Sequence, residues 1–127
     1  FQIYDESVAS TYEEASTTAT VTAYENKWTH VVATYSGVGG TSANAGMSIY
    51  INGVSQALTL GGGGTYVAMD DTGSSEVRIG NYADGSYAQG SIGKLQVWNI
   101  ELSAAEIKEL ASGGSVTLHN GQVRQME

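Results

Sequence analysis

Residues 47–58 read MSIYINGVSQAL, and this segment decides the fold class. Every second residue from Met47 to Ile51 is apolar, which is the period of a strand that buries one face. The alternation breaks at Asn52 and Gly53, a pair that tolerates positive φ at both central positions of a type I′ turn. The segment therefore predicts a β-hairpin whose first strand faces a core.

The composition also favours an all-β domain. The 127 residues include 17 glycines and eight tyrosines but no proline or cysteine, and 41% of them are hydrophobic. This length fits one domain with a real core, and the many Thr, Ser and Val residues favour strands. The net charge of −8 argues against nucleic acid as a partner, because phosphates would be repelled. Membrane insertion is not expected, since no apolar run approaches the roughly 20 residues that a spanning helix needs.

The segments before the hairpin continue the β pattern. Residues 28–35, WTHVVATY, carry apolar side chains on both faces and predict a central strand of a sandwich. Residues 1–4 predict a half-buried strand, residues 5–16 a polar loop or weak edge strand, and residues 17–24 a better strand. Because the chain starts at Phe1 without an initiator Met or a signal peptide, we expect a processed product or part of a longer protein.

Glycine-rich segments separate the elements after residue 35. Residues 36–46 and the run Gly61–Gly64 predict surface loops, and the second loop is expected to be flexible. Residues 76–82 and 92–100 return to alternating apolar positions and predict strands. The sequence thus predicts short strands joined by glycine-rich connections.

One helix is predicted late in the chain. Ser103 followed by Glu106 forms a capping box, in which each side chain accepts a hydrogen bond from the backbone N–H of the other residue. Apolar residues between positions 107 and 111 share one face, and Gly113–Gly114 ends the helix. A second Asn-Gly pair, at residues 120–121, predicts a terminal hairpin.

The order of these elements resembles the laminin G-like group of the concanavalin A-like jelly rolls. The resemblance rests on Trp28–Val31, Tyr50–Gly53, Ile79–Gly80 and Gly90–Ile107 taken together. It implies an all-β, jelly-roll-like antiparallel β-sandwich with one short late α-helix, formed by residues 1–127 as a single domain. The match covers roughly the C-terminal two-thirds of such a domain. Because the early strands are missing, we expect either a reduced sandwich or completion by a segment outside this chain.

The histidines and tryptophans have both structural and functional interpretations. No partner base, nucleophile or ligand spacing accompanies His30, and His119 lies beside a predicted turn, so we expect both to be structural. The rings of Trp28 and Trp98 would suit stacking on a sugar. Within alternating strands, however, we expect them to occupy core positions.

Concanavalin-like folds include glycoside hydrolases, so the spacing of carboxylates matters. Retaining hydrolysis needs two carboxyl groups roughly 5 Å apart on one face. Adjacent acids would instead point to opposite faces of a strand. The adjacent acidic pairs are Asp5-Glu6, Glu13-Glu14 and Asp70-Asp71. No acid-x-acid pattern occurs on a predicted strand, so an enzyme is not expected, although distant carboxylates can still converge in a fold.

The resemblance implies Ca²⁺ as the most serious cofactor, because this superfamily often binds calcium at loop tips through hard oxygen ligands. The expected metal ligands come from two loops. They are Asp70 and Asp71 in the first loop and Asn81 and Asp84 in the second. The opposing interpretation is that acidic residues in glycine-rich loops are solvated turn formers.

Residues 81–90, NYADGSYAQG, are the best candidate for a ligand-binding loop. Tyr82 and Tyr87 flank Asp84 and Gly85, which combines aromatic surface with a polar turn. Sugar sites and protein interfaces both use this mixture. The alternative is that the tyrosines cap one end of the sandwich.

The sequence therefore predicts a non-enzymatic, lectin-like recognition or adhesion module at a cell or particle surface, which binds glycan or protein through its loops. The alternative is a structural virion component, such as a capsid decoration, fibre or tail subunit. Such a component would pack against neighbouring subunits of a larger assembly that complete the sandwich. A glycoside hydrolase ranks third. The expected location is extracellular, on a cell surface or on a virion.

Overall fold

The computed structural model describes residues 1–8, 11–69, 78–82, 85–114, 116–117 and 123–124. Its strands pair in antiparallel fashion, and the main strands build two three-stranded sheets. A short helix packs on the second sheet. The described residues confirm the predicted all-β, jelly-roll-like antiparallel β-sandwich with one short late α-helix.

The first sheet, called sheet A, contains three strands in the order β1-β2-β6. They are β1 (Gln2–Asp5), β2 (Thr11–Thr17) and β6 (Leu58–Gly63). Side chains along β1 and β2 alternate between buried and more exposed positions. One face of sheet A, the inner face, therefore lies against the second sheet, and the outer face lies toward solvent.

The prediction of a polar loop or weak edge strand over residues 5–16 is wrong from Thr11 onward. β2 pairs with β1 on one side and β6 on the other, so it is the central strand of sheet A. Its polar composition concealed the strand, because two of its inward side chains, Thr11 and Glu13, are polar yet buried. The strand predicted over residues 17–24 is also wrong, because Thr22–Tyr24 form one turn of 3₁₀ helix.

The flexible loop predicted at Gly61–Gly64 is wrong as well, because the first three glycines belong to β6. These glycines lie against large side chains of the neighbouring strand. A Cβ placed on Gly61, Gly62 or Gly63 would stand 2.8 to 2.9 Å from Glu14, Glu13 or Tyr12, respectively. The glycines of β6 are therefore part of the sheet, and side chains of β2 lie over their backbone.

The second sheet, sheet B, has the order β3-β4-β5. Its strands are β3 (Val31–Tyr35), β4 (Met47–Ile51) and β5 (Val54–Ser55). Asn52 and Gly53 have φ values of 49° and 76°, the positive values that a type I′ turn needs. The predicted hairpin is confirmed, and the alternate apolar side chains of β4 are buried.

The central strand predicted over residues 28–35 is wrong in two respects. The strand begins at Val31, and within the described part of the chain it pairs with β4 alone. The Trp28 side chain precedes the strand and is 76% exposed, so it is not a core residue. The His30 backbone N–H donates to the Asn52 side chain at 2.9 Å, which fixes the chain just before the sheet.

Two apolar clusters hold the layers together. The first lies between the sheets and consists of Ile3, Ala15, Ala43, Met47 and Tyr66, with Tyr35 and Leu58 packed against it. Ala43 belongs to the loop predicted over residues 36–46, so this loop contributes a fully buried side chain. The second cluster joins the helix to sheet B and consists of Leu102, Ile107 and Leu110, with Val32, Tyr50, Trp98 and Ile100 packed against it.

The helix α1 (Ala104–Ala111) has the predicted capping box. The Glu106 N–H donates to Ser103 Oγ at 3.3 Å, and the Ser103 N–H donates to Glu106 Oε2 at 2.7 Å. Gly113 follows the helix with φ of 80°. Both ends of the helix are therefore confirmed.

The segment 92–100 contains no strand, contrary to prediction. Among the described residues no neighbouring strand pairs with it, and the Val97 side chain is exposed. Trp98 nevertheless packs against the second cluster, as predicted for a core position. Near the end of the chain, β9 (Val116–Thr117) pairs with β10 (Val123–Arg124), which agrees with the predicted terminal hairpin. Its Asn-Gly turn lies outside the described residues. In the described part of the chain, no helix is long and apolar enough to cross a bilayer.

Candidate functional site

The predicted ligand-binding loop forms a short hairpin of two strands, β7 (Asn81–Tyr82) and β8 (Ser86–Tyr87). Gly80 lies at its base with φ of 74°, and its carbonyl accepts from the Ala88 N–H at 2.8 Å. Gly85 follows the turn with φ of 96°. Both glycines occupy the left-handed region that other residues avoid, which fixes where the chain reverses.

The register of this hairpin places Tyr87 opposite Asn81, and Tyr82 opposite Ser86. The Tyr87 side chain is 70% exposed, so its ring is accessible to a ligand. For Tyr82 the structure describes the backbone alone, and Asp84 lies outside the described residues. The structure therefore brings Asn81 and Tyr87 together, and the ligand-binding role of Tyr82, Asp84 and Tyr87 stays a prediction.

Of the four predicted metal ligands, only Asn81 is described; Asp70, Asp71 and Asp84 are not. The carbonyl oxygen of the Asn81 side chain is buried and has no hydrogen-bond partner within the described residues. A buried amide oxygen without a donor fits a hard cation such as calcium. No three His, Cys, Asp or Glu residues of the described part of the chain converge as a metal site, so calcium also stays a prediction.

His30 has no catalytic partner in the described structure. Its Nδ1 atom is buried without a hydrogen bond, and the only other histidine, His119, lies outside the described residues. No carboxylate of a described residue orients the His30 ring as a general base would require.

An apolar surface connects Trp28 to the base of the β7–β8 hairpin. A Cβ on Gly93 would lie 3.4 Å from Cζ3 of Trp28, and a Cβ on Gly80 would lie 3.1 Å from Cδ1 of Ile92. The indole ring thus lies beside Gly93, and the neighbouring Ile92 side chain lies beside Gly80 at the base of the hairpin. We call these two side chains and the exposed Tyr87 of that hairpin the aromatic surface.

Sequence reasoning missed Trp28 as a surface residue. A local signal was present, because the polar triplet Glu25, Asn26 and Lys27 precedes the tryptophan. Asn26 has φ of 58°, a value typical of a turn, so the chain reverses directly before Trp28. The turn places the indole ahead of β3 and not within it.

Two carboxylates do converge, on the inner face of sheet A. Because Ile3 pairs with Glu13 and Asp5 with Thr11, the Asp5 and Glu13 side chains are diagonal neighbours on one face. They are only 3% and 4% exposed. Hydrogen bonds, above all from the Ser7 hydroxyl and also from the Val67 N–H, lower the pKa of Asp5.

Tyr66 closes the interior around these carboxylates. It is 1% exposed, and its hydroxyl makes no hydrogen bond of ordinary geometry within the described residues. Burial, then the neighbouring Tyr35 hydroxyl, and then the charges of Tyr35, Asp5 and Glu13 raise the pKa of Tyr66 to about 12. The acidic pair is therefore buried between the sheets of the described structure.

Comparison with known proteins identifies the family. A laminin G family model, described as Concanavalin A-like lectin/glucanases superfamily, matches residues 1–108. The chain therefore belongs to the concanavalin A-like lectin/glucanase superfamily. This confirms the resemblance found in the sequence.

One similar solved structure is the crystal structure of residues 221–444 of an S-layer domain-containing protein from Clostridium thermocellum ATCC 27405. It shares 22% sequence identity with this chain at a TM-score of 0.49. The alignment covers 87% of this chain and 61% of that structure, so this chain spans less than two-thirds of the similar protein. A comparison with curated proteins finds no match.

Proposed function

We propose that this member of the concanavalin A-like lectin/glucanase superfamily is a non-enzymatic recognition or adhesion module, located outside the cell or on its surface, that binds glycan. The observation that carries the proposal is the aromatic surface, in which Trp28 is 76% and Tyr87 is 70% exposed. Aromatic faces pack against the C–H faces of sugar rings and bury apolar area. Residues with this exposure contribute little to the core, so a binding role explains them better than a structural one.

Polar groups near the aromatic surface would orient a sugar. Asn81 lies opposite Tyr87, and Asp84 follows in the same hairpin. Amide and carboxylate oxygens accept hydrogen bonds from sugar hydroxyls. Since the chain carries a net charge of −8, neutral sugars are favoured over sulfated or uronic acid sugars.

Calcium binding by Asp70, Asp71, Asn81 and Asp84 forms a further part of the proposal. The buried side-chain oxygen of Asn81, which has no hydrogen-bond partner among the described residues, supports it. Bound calcium would hold the two segments together and fix the hairpin turn. Calorimetric titration with CaCl₂ tests this: binding that is lost in Asn81→Leu and retained in Asn99→Leu, a change at an exposed asparagine outside both loops, supports the site, and equal binding in both variants refutes it.

The non-enzymatic part rests on Asp5 and Glu13. These are the carboxylates of the described residues that share one face as a hydrolase pair would, yet both are buried between the sheets. A glycoside hydrolase needs its carboxyl groups on either side of a scissile bond in an open cleft. Release of reducing sugar from a bound oligosaccharide would contradict this proposal.

A glycan array probed with the full chain, with and without a calcium chelator, tests the proposed function. Trp28→Ala and Tyr87→Ala should each weaken binding by about tenfold, since each removes one stacking ring. Phe1→Ala is the matched control, because Phe1 is also an exposed aromatic residue but lies outside the aromatic surface. If wild-type protein binds no glycan, the proposal fails.

The structural alternative, a virion or assembly subunit, is favoured by a different observation. Ile92, Leu95 and Val97 are exposed within one short segment, and Trp28 lies beside it. Contiguous apolar surface of this kind is typical of protein interfaces. Size-exclusion chromatography with light scattering over a concentration range distinguishes the two functions: a stable monomer favours the glycan-binding module, and a concentration-dependent oligomer favours the assembly subunit.

A further inference from the structure

We propose that the interior beside sheet A is a cation site, best suited to calcium, in which Glu13 and Tyr66 supply oxygen ligands and Asp5 supplies a second negative charge. We call these three residues the interior site. It shares no residue with the loop site proposed above, and it does not depend on glycan binding.

The two carboxylates place negative charge in the core without a matching positive charge. Asp5 and Glu13 are diagonal neighbours on β1 and β2, and they are 3% and 4% exposed. Within the described residues, neither forms an ion pair with a basic side chain. Charges this deeply buried in a protein are paired, coordinate a metal ion or are removed by protonation. One of these three must apply at the interior site.

Asp5 keeps its charge. Its Oδ1 accepts from the N–H of Ser7 at 3.2 Å and from the Ser7 hydroxyl, and its Oδ2 accepts from the N–H of Val67 at 3.4 Å. These hydrogen bonds, above all the one from the hydroxyl, lower the pKa of Asp5 although burial opposes them. The carboxylate is therefore a fixed negative charge beside Glu13 at neutral pH.

Glu13 has a buried oxygen without a partner. It pairs with Gly62 across the sheet, and a Cβ on Gly62 would stand 2.9 Å from Oε1, so the carboxylate lies over the glycine backbone. Oε2 is buried and makes no hydrogen bond with a described residue. A proton on Oε2 would remove the charge but leave an unsatisfied buried donor in its place. A cation would both balance the charge and contact the free oxygen.

The Tyr66 hydroxyl is a second, independent oxygen of this kind. The side chain is 1% exposed, and its hydroxyl makes no hydrogen bond of ordinary geometry within the described residues. Both carboxylates lie near it, because, after burial and Tyr35, the charges of Asp5 and Glu13 raise the pKa of Tyr66 in the absence of an ion. Carboxylate and hydroxyl oxygens are hard ligands of the kind that calcium binds.

The charge balance indicates which ion fits. The interior site carries two negative charges, which one divalent cation balances. Calcium accepts a variable number and arrangement of oxygen ligands, whereas magnesium requires near-ideal octahedral geometry and usually keeps several water molecules. A site buried between two sheets has little room for a hydrated ion and therefore favours calcium. Because the ion would connect β1, β2 and the segment after β6, its binding should stabilise the folded chain.

Thermal unfolding of the full chain, stripped with EDTA and titrated with CaCl₂, tests the inference. We expect calcium to raise the melting temperature of wild type, and Glu13→Gln to lower the apparent calcium affinity by about tenfold or more, because a charged ligand is lost. Glu14→Gln is the matched control, because Glu14 is the next residue of β2 and lies on the opposite face. A melting temperature that does not respond to calcium, or responds equally in the two variants, would overturn the interior site.

Asn81→Leu separates the interior site from the loop site. In calorimetric titration this variant should still bind one calcium ion per chain, and the double variant Asn81→Leu with Glu13→Gln should bind none at the same concentrations. If Asn81→Leu alone abolishes all calcium binding, the interior site is overturned and the loop site stands.

Terbium luminescence gives a second measure that leaves both buried carboxylates in place. Terbium binds at calcium sites, and a tyrosine transfers excitation energy to it only over short distances. In the Asn81→Leu background, Tyr66→Phe should remove most of the terbium luminescence excited through tyrosine. It should weaken calcium binding by only about threefold, because a neutral ligand is lost and the charges remain. Luminescence that Tyr66→Phe leaves unchanged would overturn the interior site even if Glu13→Gln fails to fold.

Discussion

The β4–β5 and β7–β8 hairpins share one local design but differ in their surroundings. Each pairs two antiparallel strands and has a positive-φ glycine at the turn, Gly53 with 76° and Gly85 with 96°. A Cβ on Gly53 would lie 3.0 Å from the backbone of Lys108 in the helix, whereas a Cβ on Gly85 would meet no atom of a described residue within 4 Å. The first hairpin is thus enclosed by packing and the second is displayed to solvent.

The side chains follow the same division. Alternate residues of β4 are buried, and Met47 among them enters the cluster between the sheets, while Tyr87 of β8 extends into solvent. Hydrogen-bonded pairing alone does not determine which role a hairpin has. The layers on either side determine it, and each of the following substitutions tests this difference.

The largest effect is expected for Met47→Ala in the enclosed hairpin. Met47 is buried among residues of both sheets, so truncation removes apolar contacts and leaves a cavity. We expect the free energy of unfolding to fall by about 2 to 5 kcal/mol, measured by urea denaturation. Tyr87→Ala in the displayed hairpin should change it by about 0.5 kcal/mol or less. Equal losses would show that the two hairpins are packed alike.

The two turn glycines give a matched pair of substitutions. Gly85→Ala introduces backbone strain alone and should cost about 1 kcal/mol. Gly53→Ala adds a collision with the helix to the same strain, and we expect about 2 to 3 kcal/mol in total. Thermal unfolding of both variants measures the difference. If Gly85→Ala proves the more destabilising, the displayed turn has contacts that the enclosed turn lacks.

A pH-dependent effect is expected from the interior beside Met47. Tyr66 has a pKa raised to about 12 against an ordinary value near 10, so the folded state holds the phenol proton more tightly than the unfolded state. Its contribution to stability is constant below about pH 10 and is lost as the pH rises through about 12. The difference in unfolding free energy between wild type and Tyr66→Phe should therefore shift in this range. At neutral pH the variant should differ from wild type by about 1 kcal/mol or less, because the hydroxyl makes no hydrogen bond of ordinary geometry with a described residue.

The smallest effect on stability is expected for Trp28→Ala. The indole is largely exposed, so its removal should change the unfolding free energy by about 0.5 kcal/mol or less, although it should weaken glycan binding. Urea denaturation of the variant in the absence of glycan measures this change. A loss of 2 kcal/mol or more would place Trp28 with the core and weaken its role in recognition.

The elements predicted correctly are those encoded by neighbouring residues. The type I′ turn depends on Asn52 and Gly53 alone, and the helix start depends on Ser103 and Glu106, three positions apart. Such signals do not depend on the rest of the fold. Trp98 does occupy a core position as predicted, but it packs against the helix and not within the strand from which the prediction was made.

The errors arise where the determining contacts are distant in sequence. The glycines of β6 are a strand because Tyr12, Glu13 and Glu14 of β2 cover them, and this information lies roughly 50 residues away. β2 itself was obscured by Glu13, whose burial depends on the opposite sheet. Strand preference reflects such surroundings more than the residues themselves.

The candidate site was predictable in part. The loop over residues 81–90 was singled out from its sequence, although the β7–β8 pairing within it was not predicted, and Tyr87 is exposed. Trp28 was assigned to the core because it continues the alternating pattern of the strand residues that follow it. The strand begins only at Val31, however, and the turn at Asn26 lies just before Trp28.

The glycine run also raises a question of strand alignment during folding. Because Gly61 to Gly64 are identical, β6 could slide by one residue along β2 and still present glycine to Tyr12 and Glu14, and a glycine-rich strand specifies its register weakly. The Asn44 side chain donates a hydrogen bond to the Gly61 carbonyl at 2.8 Å, so it contacts one specific glycine of the run. The Asn44 side chain thus fixes one register of β6 along β2. We expect chains that lack this side chain to populate forms of sheet A in which β6 is shifted by one residue.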